Sequence, residues 1–216
     1  MKDRDTRFHE EWIGLAQPIE GLVFSVPVLA DAQIAPEIRP ELSAAFEAQL
    51  VDGDEAPRIR STEAFFKDFL GYDQPGMLVP RAELPAELSF YAPEGGQEIR
   101  PSFALGRGPF ASDDPFAVFE DPSPRPGPSP TANPYFALLW DLPGIDLDQP
   151  EAVTGPWRYP PTAKFERLLR HAGIPVGLLC NGAAVRLVYA PSGETTGHLT
   201  FRVRDLREPA GRPVLA

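Results

Sequence analysis

The chain reads as α/β, with α+β as the alternative: a mixed sheet with flanking helices and an irregular proline-rich arm. Three observations predict this. Tyr135–Trp140 is a continuous apolar run of strand length. Residues 162–172 follow with helical spacing, and two further strands then meet at Asn181-Gly182. A strand, a helix and then more strands build a layered sheet rather than a bundle or a sandwich. The third observation is 27 Pro and 18 Gly in 216 residues, which forces many loops and short elements.

In order along the chain, residues 6–16 read as a helix, because Phe8, Trp12 and Leu15 recur at i, i+4 and i+7 and Pro18 stops it. Residues 21–29 read as a strand, with Pro27 placing it at a sheet edge. Residues 40–50 read as a helix opened by Pro40, with Leu42, Phe46 and Leu50 on one face. Residues 61–71 read as another, capped by Ser61 or Thr62, carrying Phe65, Phe66, Phe69 and Leu70, and ended by Gly71. Short extended pieces follow at Met77–Val79, Leu84–Tyr91, Phe103–Leu105 and Phe116–Phe119.

Residues 122–134 alternate Pro with small residues and read as a connector; their P-x-x-P match is loose. This divides the chain into an acidic part, 1–121, the connector, and a strand–helix–hairpin core, 135–216, that completes one domain with 1–121. In that core the helix 162–172 is capped by Thr162, shows Phe165, Leu168 and Leu169 on one face, and stops at Gly173. Ile174–Cys180 and Ala184–Ala190 are predicted to pair across a type I′ turn with Asn181 and Gly182 at its centre. In 198–204, Leu199, Phe201 and Val203 alternate with Thr200, Arg202 and Arg204, placing both arginines on one face of a strand.

Charge is uneven. The net is −11, yet residues 157–216 hold nine of the 20 Lys and Arg and only four of the 31 Asp and Glu. So acidic a chain is a poor stand-alone nucleic-acid binder, since phosphate affinity comes from Lys and Arg. The basic end can nevertheless face a polyanion, and Arg186, Arg202 and Arg204 are its candidate contacts to DNA or a protein partner. The competing reading is that the acidic and basic halves neutralise each other across a shared interface, with Arg202, Arg204 and Arg207 at solvated strand and loop positions. One cysteine excludes an internal disulfide or a multi-cysteine zinc site. The N-terminus lacks the apolar stretch of a signal peptide, and no run is long enough to span a bilayer, so a soluble, cytoplasmic chain is expected.

Catalytic motifs are incomplete. A metal-dependent nuclease of the PD-(D/E)xK kind needs two acids at a divalent ion and a nearby Lys. None of Lys2, Lys67 and Lys164 stands two residues after an acid, and Glu98-Ile99-Arg100 is the nearest substitute. Glu63, Asp114 and Asp141 are the weak nuclease candidates, with Asp113 beside them. Asn133-Pro134-Tyr135-Phe136 lacks the second proline of the adenine-methyltransferase motif Asn-Pro-Pro-Tyr, and reads as a loop-to-strand junction. No glycine-rich loop for S-adenosylmethionine is present; GRGPF at 106–110 opens no helix. His9, His171 and His198 lack metal-ligand spacing, no G-x-S-x-G elbow occurs, and Cys180 reads as a small buried hydrophobe.

Phe165–Gly182, followed by Val185–Glu194 and Gly197–Phe201, resembles the N-terminal region of prokaryotic type IIG and DISARM class 1 restriction-modification DNA (adenine-specific) methylases. Trp12–Val23 and Gly211–Ala216 are similar to the same region. The resemblance implies a degenerate restriction-endonuclease-like core and a role in antiphage defence. It implies a non-catalytic module that scaffolds a methylase core, in cis or in trans, and contacts duplex DNA, with no membrane partner. The chain is then expected to be an N-terminal piece or a separately encoded module, not an enzyme by itself. No cofactor is expected here; S-adenosylmethionine belongs to the missing downstream methylase core. The alternatives are a divergent metal-dependent DNA nuclease and a protein-interaction module without a nucleic-acid role.

Overall fold

The computed structural model describes residues 19–20, 39–54, 56–107, 133–150 and 158–215. The expected helix at 6–16, the strand at 21–29, the piece at Phe116–Phe119, the connector up to residue 132 and Asp114 lie outside them.

The fold is a mixed α/β sheet flanked by helices. Its strands are β1 (Ile19–Glu20), β4 (Leu78–Pro80), β7 (Phe103–Gly106), β8 (Tyr135–Asp141), β9 (Val176–Cys180), β10 (Ala184–Tyr189) and β11 (Gly197–Arg202), in the order β1-β11-β10-β9-β8-β7-β4. The sheet therefore takes strands from both sides of the connector. All neighbours are antiparallel except β8 and β9, which run parallel, with Leu138 opposite Gly177 and Trp140 opposite Leu179. A parallel pair needs a crossover, and helix α3 (Pro161–Ala172) supplies it.

β8 is apolar from Tyr135 to Trp140 because both faces of the sheet are covered. Leu138 and Trp140 pack on one side with Phe165, Leu168 and Leu169 of α3, together with Leu84, Leu88 and Ile99. Ala137 and Leu139 pack on the other with Phe46, Phe65 and Phe66. Alternation along a strand thus feeds two cores instead of one core and solvent. The α3 side also carries the hairpin β5 (Phe90–Ala92) and β6 (Gln97–Ile99). The opposite side carries α1 (Pro40–Ala48), the hairpin β2 (Leu50–Asp52) and β3 (Pro57–Ile59), and the aromatic segment 62–69.

Several local expectations change. Leu50 opens β2 instead of closing α1. Segment 62–69 is one short turn, α2 (Thr62–Ala64), capped by Ser61, whose Oγ accepts from the Ala64 N–H at 3.3 Å; it runs into a π-helical turn, Phe65–Phe69. The wider turn lets Phe65 stack on Phe69 with centroids 5.2 Å apart, while Phe66 points into the core. Thr162 does not cap α3. Pro160 precedes the helix and Pro161 occupies its first turn. β11 ends at Arg202, and Arg204 belongs to the short helix α4 (Val203–Arg207).

The β9–β10 hairpin forms, with Cys180 opposite Val185 and Leu178 opposite Leu187. Its turn, however, is centred on Gly182 and Ala183. The Asn181 N–H donates to the Ala184 carbonyl, and Gly182 takes φ +84°. The first central position, which takes positive φ in both type I′ and type II′ turns, is thus held by Gly182 and not by Asn181. Asn181 Oδ1 accepts from the N–H groups of Ala183 and Ala184.

Gly177 marks the closest approach of α3 to the sheet. A Cβ there would stand 2.5 Å from Phe165 Cε1 and 2.8 Å from Leu169 Cδ2, and both side chains are fully buried. Gly177→Ala is expected to cost about 1–3 kcal/mol through overpacking. Gly182→Val should cost a similar amount, about 1–3 kcal/mol, through the strained turn. Urea unfolding checks both: the midpoints should fall while the slope stays that of the parent.

Candidate functional site

At one end of the sheet an open cleft of about 500 Å³ lies between β3, the hairpin turn, β11, α4 and segment 142–148. Arg58, Arg186, Arg202 and Arg204 line it, with Asp146 and Asp148 among them. The connection after β8 forms one wall and is sewn to the sheet by backbone bonds. The Leu142 N–H donates to the Cys180 carbonyl at 2.7 Å and the Gly144 N–H to the Asn181 carbonyl at 3.0 Å. Asn181 Nδ2 donates to the Ile145 carbonyl at 2.9 Å. On the other wall the Ile59 N–H donates to the Gly182 carbonyl at 2.8 Å, which ties β3 to the hairpin. Gly144 turns the wall with φ +77°, and a Cβ there would lie 3.8 Å from Arg58 Nη1, so the guanidinium reaches over this wall.

Arg186 forms the floor. Arg186 pairs with Thr200 across β10 and β11, and both side chains project to the α3 side of the sheet with Val188. Arg186 is 2% exposed, and each of its three nitrogens has an oxygen partner. Its Nε donates to Thr200 Oγ1 at 2.8 Å, and its Nη1 to Thr162 Oγ1 at 2.7 Å. Nη1 and Nη2 hold the two Asp148 oxygens at 2.5 and 2.8 Å. Thr162 in turn donates its hydroxyl to the Leu147 carbonyl at 2.8 Å, so its place in α3 serves the arginine's neighbourhood. Bonds from Arg186 hold the Asp148 carboxyl below the ordinary aspartate value.

The structure thus separates the three arginines expected at the basic end. Arg186 is an internal residue whose donors are used by the protein. Arg202 shares its face and is half-buried, and Arg204 is exposed and touches Asp205 at 3.0 Å. Arg58, from the acidic part of the chain, joins them; hydropathy and charge counts gave no sign of it, because it stands in a three-residue strand behind Gly53 and Asp54. Among the described residues neither Arg58 nor Arg202 has a carboxylate at ion-pair distance.

The nuclease candidates are placed elsewhere. Glu63 is exposed and pairs with Lys67 at 2.6 Å. Asp141 ends β8 half-buried and accepts the Thr62 hydroxyl at 2.8 Å; the same Oγ1 lies 3.3 Å from Cys180 Sγ. Burial pushes the Asp141 carboxyl and the Cys180 thiol up. Glu98-Ile99-Arg100 sits in and just after β6, and Arg100 Nη2 donates to the Leu84 carbonyl at 2.8 Å. Among the described residues no three His, Cys, Asp or Glu side chains gather as a metal site. His171 is exposed against the Phe90 ring, and His198 is buried in β11. Asn133 closes a turn on the Tyr135 N–H at 3.0 Å, as a loop-to-strand junction should.

Against protein-family models, curated proteins and solved structures, the chain finds no match. No helix of the described residues is long and apolar enough to cross a membrane.

The two aspartates respond to pH in opposite senses. Asp148 has a folded pKa below its unfolded one, so its pairing stabilises above the unfolded value and is lost as pH falls through the folded value. Asp141 has a raised folded pKa, so charging it costs stability as pH rises from the unfolded value through the folded one. Asp141→Asn keeps an acceptor for Thr62 and carries no charge. Its melting temperature relative to the parent should therefore be higher at pH 7 than at pH 3, which melts across that range will show.

Proposed function

We propose that this chain is a non-catalytic module of a prokaryotic restriction-modification or antiphage DNA methylase, scaffolding the methylase core and touching DNA through the arginine cleft. The observation that carries this reading is the convergence of Arg58, Arg202 and Arg204 on one concave surface of an otherwise acidic chain. Net charge does not forbid it. At about 0.1 M salt the Debye length is about 10 Å, so a phosphate in the cleft feels the local arginines more than distant carboxylates. Guanidinium groups suit phosphate oxygens because their paired donors match them.

A catalytic nuclease fits the geometry less well. Strands β7 to β10 carry a single carboxylate, Asp141, at the very end of β8, where its oxygen is taken by Thr62. Lys164 is 1% exposed in α3 and donates to Gln97 Oε1 at 3.0 Å, on the α3 side of the sheet. A mixed sheet with helices on both faces and no acid-x-Lys on its middle strands suits a nuclease-like core that has lost its site.

Three arginines facing phosphates give an expected salt dependence. A plot of log affinity against log salt should slope at about −2 to −3. Charge reversal at Arg58, Arg202 and Arg204 together should lower affinity for a duplex at least tenfold in fluorescence anisotropy at low salt. Equal retention by the parent and the triple variant would overturn the DNA-contact reading. Supercoiled plasmid should stay intact with magnesium or manganese; nicking that disappears in Asp141→Asn but persists in Glu208→Gln would favour the nuclease instead.

A further inference from the structure

Asp148 sits where a ligand would sit. The guanidinium beneath it is buried and oriented by two threonine hydroxyls, whereas the Asp148 side chain is 55% exposed at the cleft. Its two oxygens lie across Nη1 and Nη2, the bidentate fit that a phosphate makes equally well. Arg202 and Arg58 line the same cleft, and Arg202 also acts electrostatically on Asp148. The neighbouring residue, Leu147, is 3% exposed and its carbonyl is held by both the hydroxyl and the N–H of Thr162. The backbone is therefore pinned beside a carboxylate that, among the described residues, only the Arg186 fork holds, so its release needs rotation about its own side-chain bonds alone.

We infer that the cleft contains a phosphate-binding subsite built on Arg186 and Arg202, and that the Asp148 carboxylate occupies the place of the phosphate until one displaces it. The subsite deepens the DNA-contact reading and rests on it for its partner, but the chemistry is that of a phosphate group, whether an internal diester of a nucleic acid or a terminal monoester. Rotation of Asp148 leaves the fork of Arg186 facing the cleft with Thr162 and Thr200 still holding its orientation. No backbone movement is needed, and the incoming anion replaces the charge that the buried guanidinium loses. The carboxylate also acts as a filter, because weakly binding anions do not compete with an internal carboxylate at high effective concentration.

The test uses inorganic phosphate as the probe, on the full chain and on Asp148→Asn, with chloride at matched ionic strength as control. The side-chain Nε–H signals of Arg186 and Arg202 are followed by NMR. In the parent, phosphate but not chloride should move both signals, with a midpoint in the millimolar range. In Asp148→Asn the midpoint should fall at least tenfold, and phosphate should raise the melting temperature of this variant more than that of the parent. Asp148→Asn,Arg202→Gln should lose the gain. If neither arginine signal moves in the parent up to 50 mM phosphate, and the variant responds no better, the subsite does not exist. The parent titration decides the matter even where Asp148→Asn folds poorly. A short single strand with and without a 5′-phosphate separates the sources: equal binding by Asp148→Asn marks a diester, and preference for the phosphorylated end marks a monoester. Salt-dependent duplex retention by the parent, together with no phosphate gain in Asp148→Asn, overturns the subsite and leaves the DNA reading intact. Phosphate gain without duplex retention does the reverse.

Discussion

The guanidinium of Arg186 is the point at which the crossover helix, the sheet and the segment after β8 are fastened to one another. Thr162 comes from the first turn of α3, Thr200 from β11, and Asp148 from the connection that leaves β8. A buried cation is costly unless its donors are satisfied. Here Nε, Nη1 and Nη2 all have oxygen partners, so the arginine fixes the relative placement of three segments that are distant in sequence. A hydrophobic residue of similar size could fill the volume. It could not specify which carboxylate and which hydroxyls belong around it.

That constraint shapes the cleft. The segment 142–148 is held along its length by the Asn181 side chain, by the Cys180 and Asn181 carbonyls and by Thr162, whose N–H and hydroxyl both donate to the Leu147 carbonyl, then closed by the Asp148 pair. It forms a rigid wall next to the hairpin turn, and β3 docks on the other side of the same turn through Ile59. The arginines around the opening are mounted on strands β3, β10 and β11 and on the short helix α4. Their positions do not depend on the acidic balance of the whole chain.

Much of the sheet was legible because local chemistry and tertiary structure agree. The apolar run 135–140, the spacing in 162–172, and Asn181-Gly182 between two apolar strands each describe an element that exists. What was not legible has a common cause, namely cover on a face that the pattern reads as solvent. Alternation in β10 marks Val185, Leu187 and Tyr189 as the inner set. Yet Leu187 and Tyr189 are half-buried, and Arg186 and Val188 are the residues most deeply enclosed, because α3 and segment 142–148 lie over them. The same cover turns Thr162 from a cap into a ligand of Arg186, and Asn181 from a turn centre into a clamp on Ile145. Arg202 was visible through the charge asymmetry of the last sixty residues. Arg58 was not, because its place beside Arg202 depends on how the β2–β3 hairpin docks.

The pair Arg186–Asp148 is asymmetric in a way that bears on function. Its cationic half is 2% exposed and its anionic half 55% exposed. Removing the carboxylate strands a desolvated charge, whereas removing the arginine leaves a carboxylate that water can still solvate. The protein thus needs an anion at this place more than it needs this particular anion. Exposure of the carboxylate lowers the desolvation cost of the pair and also weakens it by solvent screening. An arrangement in which the cation is fixed and the anion exchangeable gains from that exposure directly. The placement of Asp148 at the cleft mouth therefore meets what exchange with an external phosphate requires, without giving up its part in fastening the segment to the sheet.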